Sequence, residues 1–184
     1  MEIRYINEND NLLEISDIYE KSWKYAYRNI IPKDYLDSIP AGRWVNKISN
    51  TGMNNLVLIE KGTIIGTASF CKSRWENYSD YGEIVSIYFL PEYIGKGYGR
   101  FLLHKCMAEL KISGFNNVLL WVLEENHSAR NFYEKEGFTC SKVLLNDNIG
   151  GKDLREVMYF AHALDIVKNM INEPCGDVCL RTST

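Results

Sequence analysis

The chain has 184 residues, a length at which one domain can bury a sizeable core without disulfides or metals. Its formal net charge of -3 gives no general electrostatic reason to bind nucleic acid or an anionic membrane. The first residues hold no apolar signal core and no stretch approaches the ~20 apolar residues of a membrane helix, so we expect a cytoplasmic protein that binds neither nucleic acid nor a membrane.

Cysteine and histidine spacing bears on metal sites and disulfides. The five cysteines form no CxxC pair and the three histidines are scattered, so the sequence predicts neither a disulfide framework nor a metal site. Cys175 and Cys179 fall in a polar C-terminal stretch. We therefore expect a single domain over residues 1–164 and a loosely attached tail over 165–184.

The first part of the chain is predicted to be mainly helical. After a short strand around "IRYI", residues 10–27 place apolar side chains at helical spacing, which predicts an amphipathic helix. Pro32 suits the first turn of a second, short helix that Pro40 ends. A third helical piece is predicted over residues 42–49.

The middle of the chain is predicted to form strands. The runs "NNLVLIE" and "TIIGTASFCKSRW" flank Lys61 and Gly62, the pattern of a β-hairpin with these two residues in its turn. "GEIVSIYFLP" reads as a further strand that Pro91 ends. Residues 118–123 are apolar at every position, which predicts a central strand covered on both faces.

Two helices and two strands are predicted in the last third. Residues 99–114 show the spacing of a helix buried on one side, with Gly114 at its C-terminal cap. A short helix over residues 126–138 is capped by Asn126 or Ser128 and stopped by Gly137. The final strands are expected at 139–146 and 155–164, on either side of the turn-rich residues 147–153.

The loop "YIGKGYGR", residues 93–100, combines three alternate glycines with two basic residues. A strand, a glycine-rich turn and a helix start present unpaired backbone N–H groups to a phosphate, and Lys96 and Arg100 add positive charge. The spacing fits neither GxxxxGK[ST] nor GxGxxG, since Arg100 stands where the third glycine of the dinucleotide loop belongs. A glycine-rich turn with solvated basic residues is the alternative that the loop alone leaves open.

Two linked motifs, "IYFLPEYIGKGYGRFLL" and "LWVLEENHSARNFYEKEGF", resemble the GNAT superfamily of N-acetyltransferases, and the order of elements matches from residue 2 to about 164. The resemblance implies an α+β GNAT fold, a mixed and mostly antiparallel sheet of six to seven strands flanked by about four helices. The strand before the loop is expected to carry a β-bulge and to splay from the next strand, the fourth and fifth main strands forming a V-shaped cleft. Ile94 departs from the family, which usually has Arg or Gln there.

The resemblance also implies the chemistry. We expect acetyl-coenzyme A as co-substrate, no metal, and transfer of acetyl to a primary amine of a small molecule or peptide by direct attack in a ternary complex. Transfer of a longer acyl group, or a non-catalytic acyl-coenzyme A sensor, are the alternatives. An exposed late strand could support a homodimer.

Site residues follow from the matched motifs. Tyr133 is expected to protonate the departing thiolate, and Glu83 to accept the amine proton through water; a packed tyrosine and a solvated strand-end glutamate are the alternatives. Trp121 stands where branches that acetylate ribosomal-protein N-termini often have Glu, which argues against copying their base and substrate. Trp23, Tyr27 and Tyr35 are candidate walls of the acceptor pocket. The expected cofactor-binding residues are Ile87 and Phe89 through their backbone, Gly95, Lys96, Gly97, Tyr98, Gly99, Arg100 and Asn126.

Overall fold

The architecture is a seven-stranded mixed sheet with helices on both faces. The computed structural model describes residues 1–50 and 52–166. The strands lie in the order β1-β2-β3-β4-β5-β7-β6. They are β1 Glu2–Tyr5, β2 Asn54–Glu60, β3 Thr63–Lys72, β4 Gly82–Phe89, β5 Asn117–Leu123, β6 Thr139–Ile149 and β7 Lys152–His162.

Five α-helices are described. The N-cap of α1 is Asn11, whose side chain accepts from the Leu13 N–H, and the N-cap of α5 is Asn126, whose side chain accepts from the Ala129 N–H. Helix α4 begins directly after Gly97, inside the glycine loop as predicted. The helices are α1 Leu12–Ala26, α2 Lys33–Asp37, α3 Val45–Ile48, α4 Tyr98–Ile112 and α5 His127–Lys135.

The β2–β3 hairpin turns at Lys61 and Gly62, as the sequence predicted, and both have positive φ angles of 51° and 82°. The last two strands are longer than predicted. Gly150 and Gly151 form a two-residue turn with φ 62° and 83°, so pairing continues to Asn148 with Asp153 and to Ile149 with Lys152. The prediction of a seven-residue turn-rich connection over 147–153 was wrong, because two glycines suffice to reverse the chain.

The expected C-terminal tail lies largely outside the described residues, as do Cys175 and Cys179. Ile166 is 2% exposed and packs in the core beside Ala163. The packed chain therefore continues at least two residues past the expected boundary at 164.

Strands β4 and β5 form the parallel pair of the sheet, and they separate early. Their pairing covers Gly82 with Val118 and Glu83 with Leu119 and then stops. On the other side of β4, the register with β3 shifts where Ser69 and Phe70 face Ser86 and Ile84, which leaves Val85 as an extra, bulged residue. The expected bulge and V-shaped splay are confirmed.

Two apolar clusters cover the faces of the sheet. One joins α4 and α5 to the sheet through residues such as Leu103 and Met107, both fully buried. The other joins α1, α2 and α3 to the opposite face through Ile15, Tyr19 and Trp44. Helices pack on both faces of β4, so this packing, rather than pairing with β5, sets the direction of the strand after the bulge.

A buried chain of hydrogen bonds ties α1 to the bulged strand. The Tyr19 hydroxyl lies 2.8 Å from Ser69 Oγ and 3.3 Å from Ser86 Oγ. Ser69 Oγ donates to Asn55 Oδ1 at 2.5 Å, and Asn55 Nδ2 donates to the Ile48 carbonyl at 2.9 Å. Removing one member leaves buried polar atoms without a partner.

We predict that Tyr19→Phe lowers the free energy of unfolding by about 1–3 kcal/mol, because the two buried serine hydroxyls lose their shared partner. Urea denaturation followed by circular dichroism measures it. Tyr5→Phe is the matched control, since it removes an exposed hydroxyl that donates to Glu109, and it should cost less than about 1 kcal/mol. Equal losses in both variants would contradict the assigned role of Tyr19.

Candidate active site

The gap between β4 and β5 exposes one edge of β4. The Leu90 N–H donates to the Ile65 carbonyl of β3 at 3.0 Å. Because successive residues of a strand direct their N–H groups to opposite edges, the backbone of Ile87 and Phe89 faces the gap. The Phe89 side chain is buried and that of Ile87 packs against the same cluster, so both side chains belong to the core while their peptide groups remain open to a ligand.

The glycine loop lies at the wide end of this gap. Gly95 and Gly97 have φ angles of 78° and 85°, a conformation that favours glycine, and a Cβ on either would meet no atom within 4 Å. Within the described part of the chain, the N–H groups of residues 95–99 donate no hydrogen bond. Gly97 gives α4 no side-chain cap. The loop therefore presents a row of free donors, at the positive end of a 15-residue helix, to open space.

The two basic residues of the loop are placed differently. Lys96 is exposed, with Nζ 5.4 Å from the centre of the Tyr93 ring. Arg100 lies one turn into α4, where its Nε is 3.5 Å from Glu136 Oε2. His104 Nε2 is 2.8 Å from the same carboxylate oxygen. Glu136 thus holds α4 to the C-terminal end of α5, and Lys96 is the loop cation that faces solvent.

Helix α5 carries Tyr133 and is anchored to β7. Arg130 Nε donates to the Tyr159 hydroxyl at 3.0 Å, and this hydroxyl donates to Glu134 Oε1 at 2.7 Å. The Tyr133 ring packs on Phe138, with ring centres 5.7 Å apart, and on Phe132 at 5.1 Å. These contacts hold the ring against the apolar cluster that covers this face of the sheet. Asn126 caps the helix, which is one of its two expected roles.

The Tyr133 hydroxyl itself is free. It makes no hydrogen bond with any residue that the structure describes. Burial raises the pKa of Tyr133 well above its usual value, and the neighbouring Tyr88 raises it further. The phenol therefore stays protonated at neutral pH, with its proton available to a ligand.

A cavity of about 200 Å³ lies on the other side of the gap, beneath α1 and the β6–β7 hairpin. Its wall combines aromatic rings with four charged side chains. Two contacts hold the hairpin to residues 30–35 of the helical segment: Lys152 Nζ donates to the Ile30 carbonyl at 2.8 Å, and Gly150 lies against the Tyr35 ring. The lining residues are Trp23, Tyr27, Lys47, Arg74, Trp75, Glu83, Ile84, Val85, Tyr88, Trp121, Leu123, Ile149 and Glu156.

Glu83 lines this cavity but is 1% exposed, so the alternative of a solvated strand-end glutamate is wrong. Four donors hold its carboxylate. Arg74 contributes its backbone N–H at 3.0 Å, Nε at 3.1 Å and Nη2 at 2.6 Å, and Trp75 contributes Nε1 at 3.4 Å. These bonds raise the pKa of Arg74 and stabilise the ionised pair.

Trp23 and Tyr27 line the cavity as the sequence predicted, whereas Tyr35 is not among its lining residues. Trp23 Nε1 donates to the Tyr88 hydroxyl at 3.0 Å. Burial raises the pKa of Tyr27 to about 12. Tyr35 supports the wall from behind, where it packs on Gly150 and accepts from Arg43 Nη2 at 3.2 Å.

Sequence reasoning missed three charged residues of the cavity, Lys47, Arg74 and Glu156. For Glu156 a signal was present: it stands between Leu154 and Met158 on alternate positions of β7, so a carboxylate occupies an inward-facing position of a strand. For Lys47 and Arg74 the sequence carries no such signal, because each reaches the cavity only through tertiary packing.

The described residues also bear on metal binding and on membrane insertion. Within residues 1–50 and 52–166 no three His, Cys, Asp or Glu side chains are grouped to hold a metal ion. Over the same residues no helix is long and apolar enough to cross a membrane.

Comparison with known proteins gives a consistent result. The model of the acetyltransferase (GNAT) family matches residues 12–138. YuaI of Bacillus subtilis, an uncharacterised N-acetyltransferase, is 32% identical over 166 residues, which cover 89% of this chain and 94% of that protein. A spermidine N(1)-acetyltransferase of Thermoplasma acidophilum is 25% identical over 143 residues, 75% of this chain and 88% of the relative.

Solved structures agree on the fold. The PaiA N-acetyltransferase of Thermoplasma acidophilum, crystallised with coenzyme A, superposes with a TM-score of 0.70 at 24% identity. The match covers 88% of this chain and 98% of that one. At this identity the likeness supports the fold.

We predict that Arg74→Met destabilises the fold by about 2–3 kcal/mol at pH 8, because Glu83 keeps a buried charge with fewer donors. Part of the guanidinium is exposed, which places the loss below that of a fully buried pair. Urea denaturation followed by circular dichroism at pH 8 measures the loss.

The control is Arg74→Met combined with Glu83→Gln, which removes the unpaired charge and should recover part of the loss at pH 8. A deficit that the double variant does not reduce would show that the unpaired Glu83 charge is not its cause.

Proposed function

The chain belongs to the acetyltransferase (GNAT) family, and on that premise we propose that it transfers acetyl from acetyl-coenzyme A to a primary amine by direct attack within a ternary complex. Its relatives bear the names of N-acetyltransferases, which sets it among enzymes rather than sensors. We propose acetyl as the transferred acyl group, because it is the group that the name of the family gives.

The observation that carries the proposal is the gap between β4 and β5. It presents the backbone of Ile87 and Phe89 on one side and leads from the glycine loop to the aromatic cavity. An extended pantetheine arm would pair with those peptide groups as an added strand. Its thioester would then reach the cavity, with one backbone N–H directed at the carbonyl oxygen that becomes an oxyanion, a contact that contributes roughly 3 kcal/mol.

The glycine loop is the proposed pyrophosphate site. The free N–H groups of residues 95–99 and the dipole of α4 supply donors and positive potential without any side chain. Ile94 offers no charge at the position where the family usually has Arg or Gln, and the exposed Lys96 supplies the nearest free cation of the loop in our proposal. The PaiA structure, which contains coenzyme A, supports this assignment by its fold.

Tyr133 is the proposed general acid. Its hydroxyl is free of partners in the described chain, whereas a packed tyrosine would have a satisfied hydroxyl. A phenol of ordinary pKa gives its proton to a thiolate uphill by roughly 2 kcal/mol, and the raised pKa of Tyr133 adds to this. The same dry surroundings raise the pKa of the departing thiol, which offsets part of the difference.

The amine must lose a proton before or during attack. A lysine-like amine is protonated at pH 7 with a bias of roughly 4–5 kcal/mol, and an α-amine with only about 1. We propose that the proton leaves through water to a carboxylate of the cavity, Glu83 or Glu156. Protonation of Glu83 would break hydrogen bonds from Arg74 or Trp75. Glu156 accepts no hydrogen bond within the described chain, and this difference favours Glu156 as the proton acceptor.

We predict that Gly97→Ala weakens coenzyme A binding at least tenfold in calorimetry, because a Cβ would project into the proposed pyrophosphate site and strain the backbone. Gly114→Ala is a matched control at the other end of α4. It has φ +93° and equally open space, so it carries a similar strain away from the loop. If both variants bind coenzyme A like the wild type, the loop is not part of the site.

We predict that Tyr133→Phe lowers kcat at least tenfold with coenzyme A affinity nearly unchanged, because the ring and its packing stay while the proton donor is lost. Thiol release with a reactive amine measures kcat. Tyr25→Phe, at an exposed position of α1, serves as control. Wild-type turnover in the Tyr133 variant would make Tyr133 a packing residue and remove the general-acid assignment.

A further inference from the structure

We propose that the acceptor carries a carboxylate in addition to its primary amine, separated by several bonds, with the ammonium end at Glu156 and the carboxylate end at Lys47 and Trp121. The proposal rests on the proposed function, since it names the class of amine that the same cavity selects. The acceptor is thus an amino acid of the ω-amino type or a short peptide-like zwitterion.

The charges of the cavity are the first support. Of its four charged side chains, Arg74 and Glu83 neutralise each other in an ion pair at 2.6 Å. Lys47 and Glu156 have no ion pair and no hydrogen bond with the described residues. The empty cavity therefore holds one uncompensated cation and one uncompensated anion. A ligand that bears one charge of each sign compensates both.

The register of the strands places these two residues along the cavity. Glu83 faces Leu119 across one edge of β5, and Glu156 faces Leu123 across the other edge. Glu156 therefore lies roughly 13 Å farther along β5 than the central ion pair. Lys47 lines the same wall as this ion pair, and burial lowers its pKa, which Arg74 lowers further and Glu83 raises. A ligand that reaches both residues consequently needs several bonds between its two charges.

Trp121 adds an unused donor. Its Nε1 is buried and has no acceptor in the described part of the chain, while its ring packs on Trp75 with centres 5.0 Å apart. A buried N–H without a partner costs roughly 1–3 kcal/mol, which a ligand oxygen recovers. Together with the Lys47 ammonium it provides two donors and no acceptor, the requirement of a carboxylate.

The amine end is identified by its position relative to the reaction centre. Glu156 faces Leu123, the last residue of β5, and the chain passes from there into α5, which carries Tyr133. Tyr27, which lines the cavity, interacts electrostatically with both Tyr133 and Glu156. The ammonium at Glu156 is therefore next to the proposed general acid, and the carboxylate points away from the thioester.

This charge pattern separates the proposal from a polyamine acceptor, the substrate named for the Thermoplasma relative. A diamine would place its second ammonium against Lys47 in a half-buried site, where like charges repel strongly. A simple alkylamine would leave Lys47 and the Trp121 N–H without partners.

The test uses three acceptors of one length: 6-aminohexanoate, hexylamine and 1,6-diaminohexane. We expect kcat/KM for 6-aminohexanoate to exceed that for each of the others at least tenfold. In Lys47→Met, which keeps an unbranched side chain and removes the ammonium, the ratio for 6-aminohexanoate over hexylamine should fall at least tenfold. Lys21→Met, at an exposed position of α1, is the matched control and should leave the ratio unchanged.

Each outcome decides between the two proposals. Acetylation of hexylamine or the diamine as fast as that of the amino acid overturns the carboxylate inference and leaves the proposed function standing. Loss of transfer with all three amines contradicts the proposed function. Calorimetry then tests the inference alone: 6-aminohexanoate should bind the coenzyme A complex of the wild type and bind Lys47→Met at least tenfold more weakly, and absence of binding would overturn it.

Discussion

The early end of pairing between β4 and β5 is the constraint on which the rest of the structure depends. Only two residue pairs join these strands, and the last pair includes Glu83. The bulge at Val85 redirects β4 immediately after this point, and α1 and α4 hold the redirected strand from its two faces. A sheet normally satisfies its peptide groups internally, so an opened edge is costly unless a ligand completes it. The gap is thus best understood as a strand position left for a ligand.

The same junction explains why a charged residue is buried there. Glu83 lies where β4 and β5 part, and its carboxylate is 1% exposed. The segment after β3 brings Arg74 and Trp75 back to the carboxylate. Burying a charge is tolerable because four donors compensate it. The resulting ion pair lines the same cavity as Lys47 and Glu156.

The sequence predicted what is encoded locally. The β2–β3 turn at Lys61 and Gly62 and the donor loop at Gly95 and Gly97 depend on backbone conformations that glycine permits, so a few residues suffice to recognise them. The cavity is different. Lys47, Arg74 and Glu156 come from three distant segments, and their meeting depends on how α3 and the β6–β7 hairpin pack on the sheet. Tyr35 was assigned to the pocket for its residue type, although Gly150 holds it behind the wall.

Burial affects both groups that are proposed to transfer protons, Tyr133 and Glu156. Tyr133 keeps its proton because its surroundings are dry, and the same dryness raises the pKa of Glu156. A thiolate and an ammonium formed in this space would each be poorly solvated, so the acid that neutralises the first and the carboxylate that neutralises the second must both be close. Tyr27 lines the cavity and interacts electrostatically with both Tyr133 and Glu156. In the proposed reaction, attack, loss of the amine proton and protonation of the thiolate would then take place within one small volume.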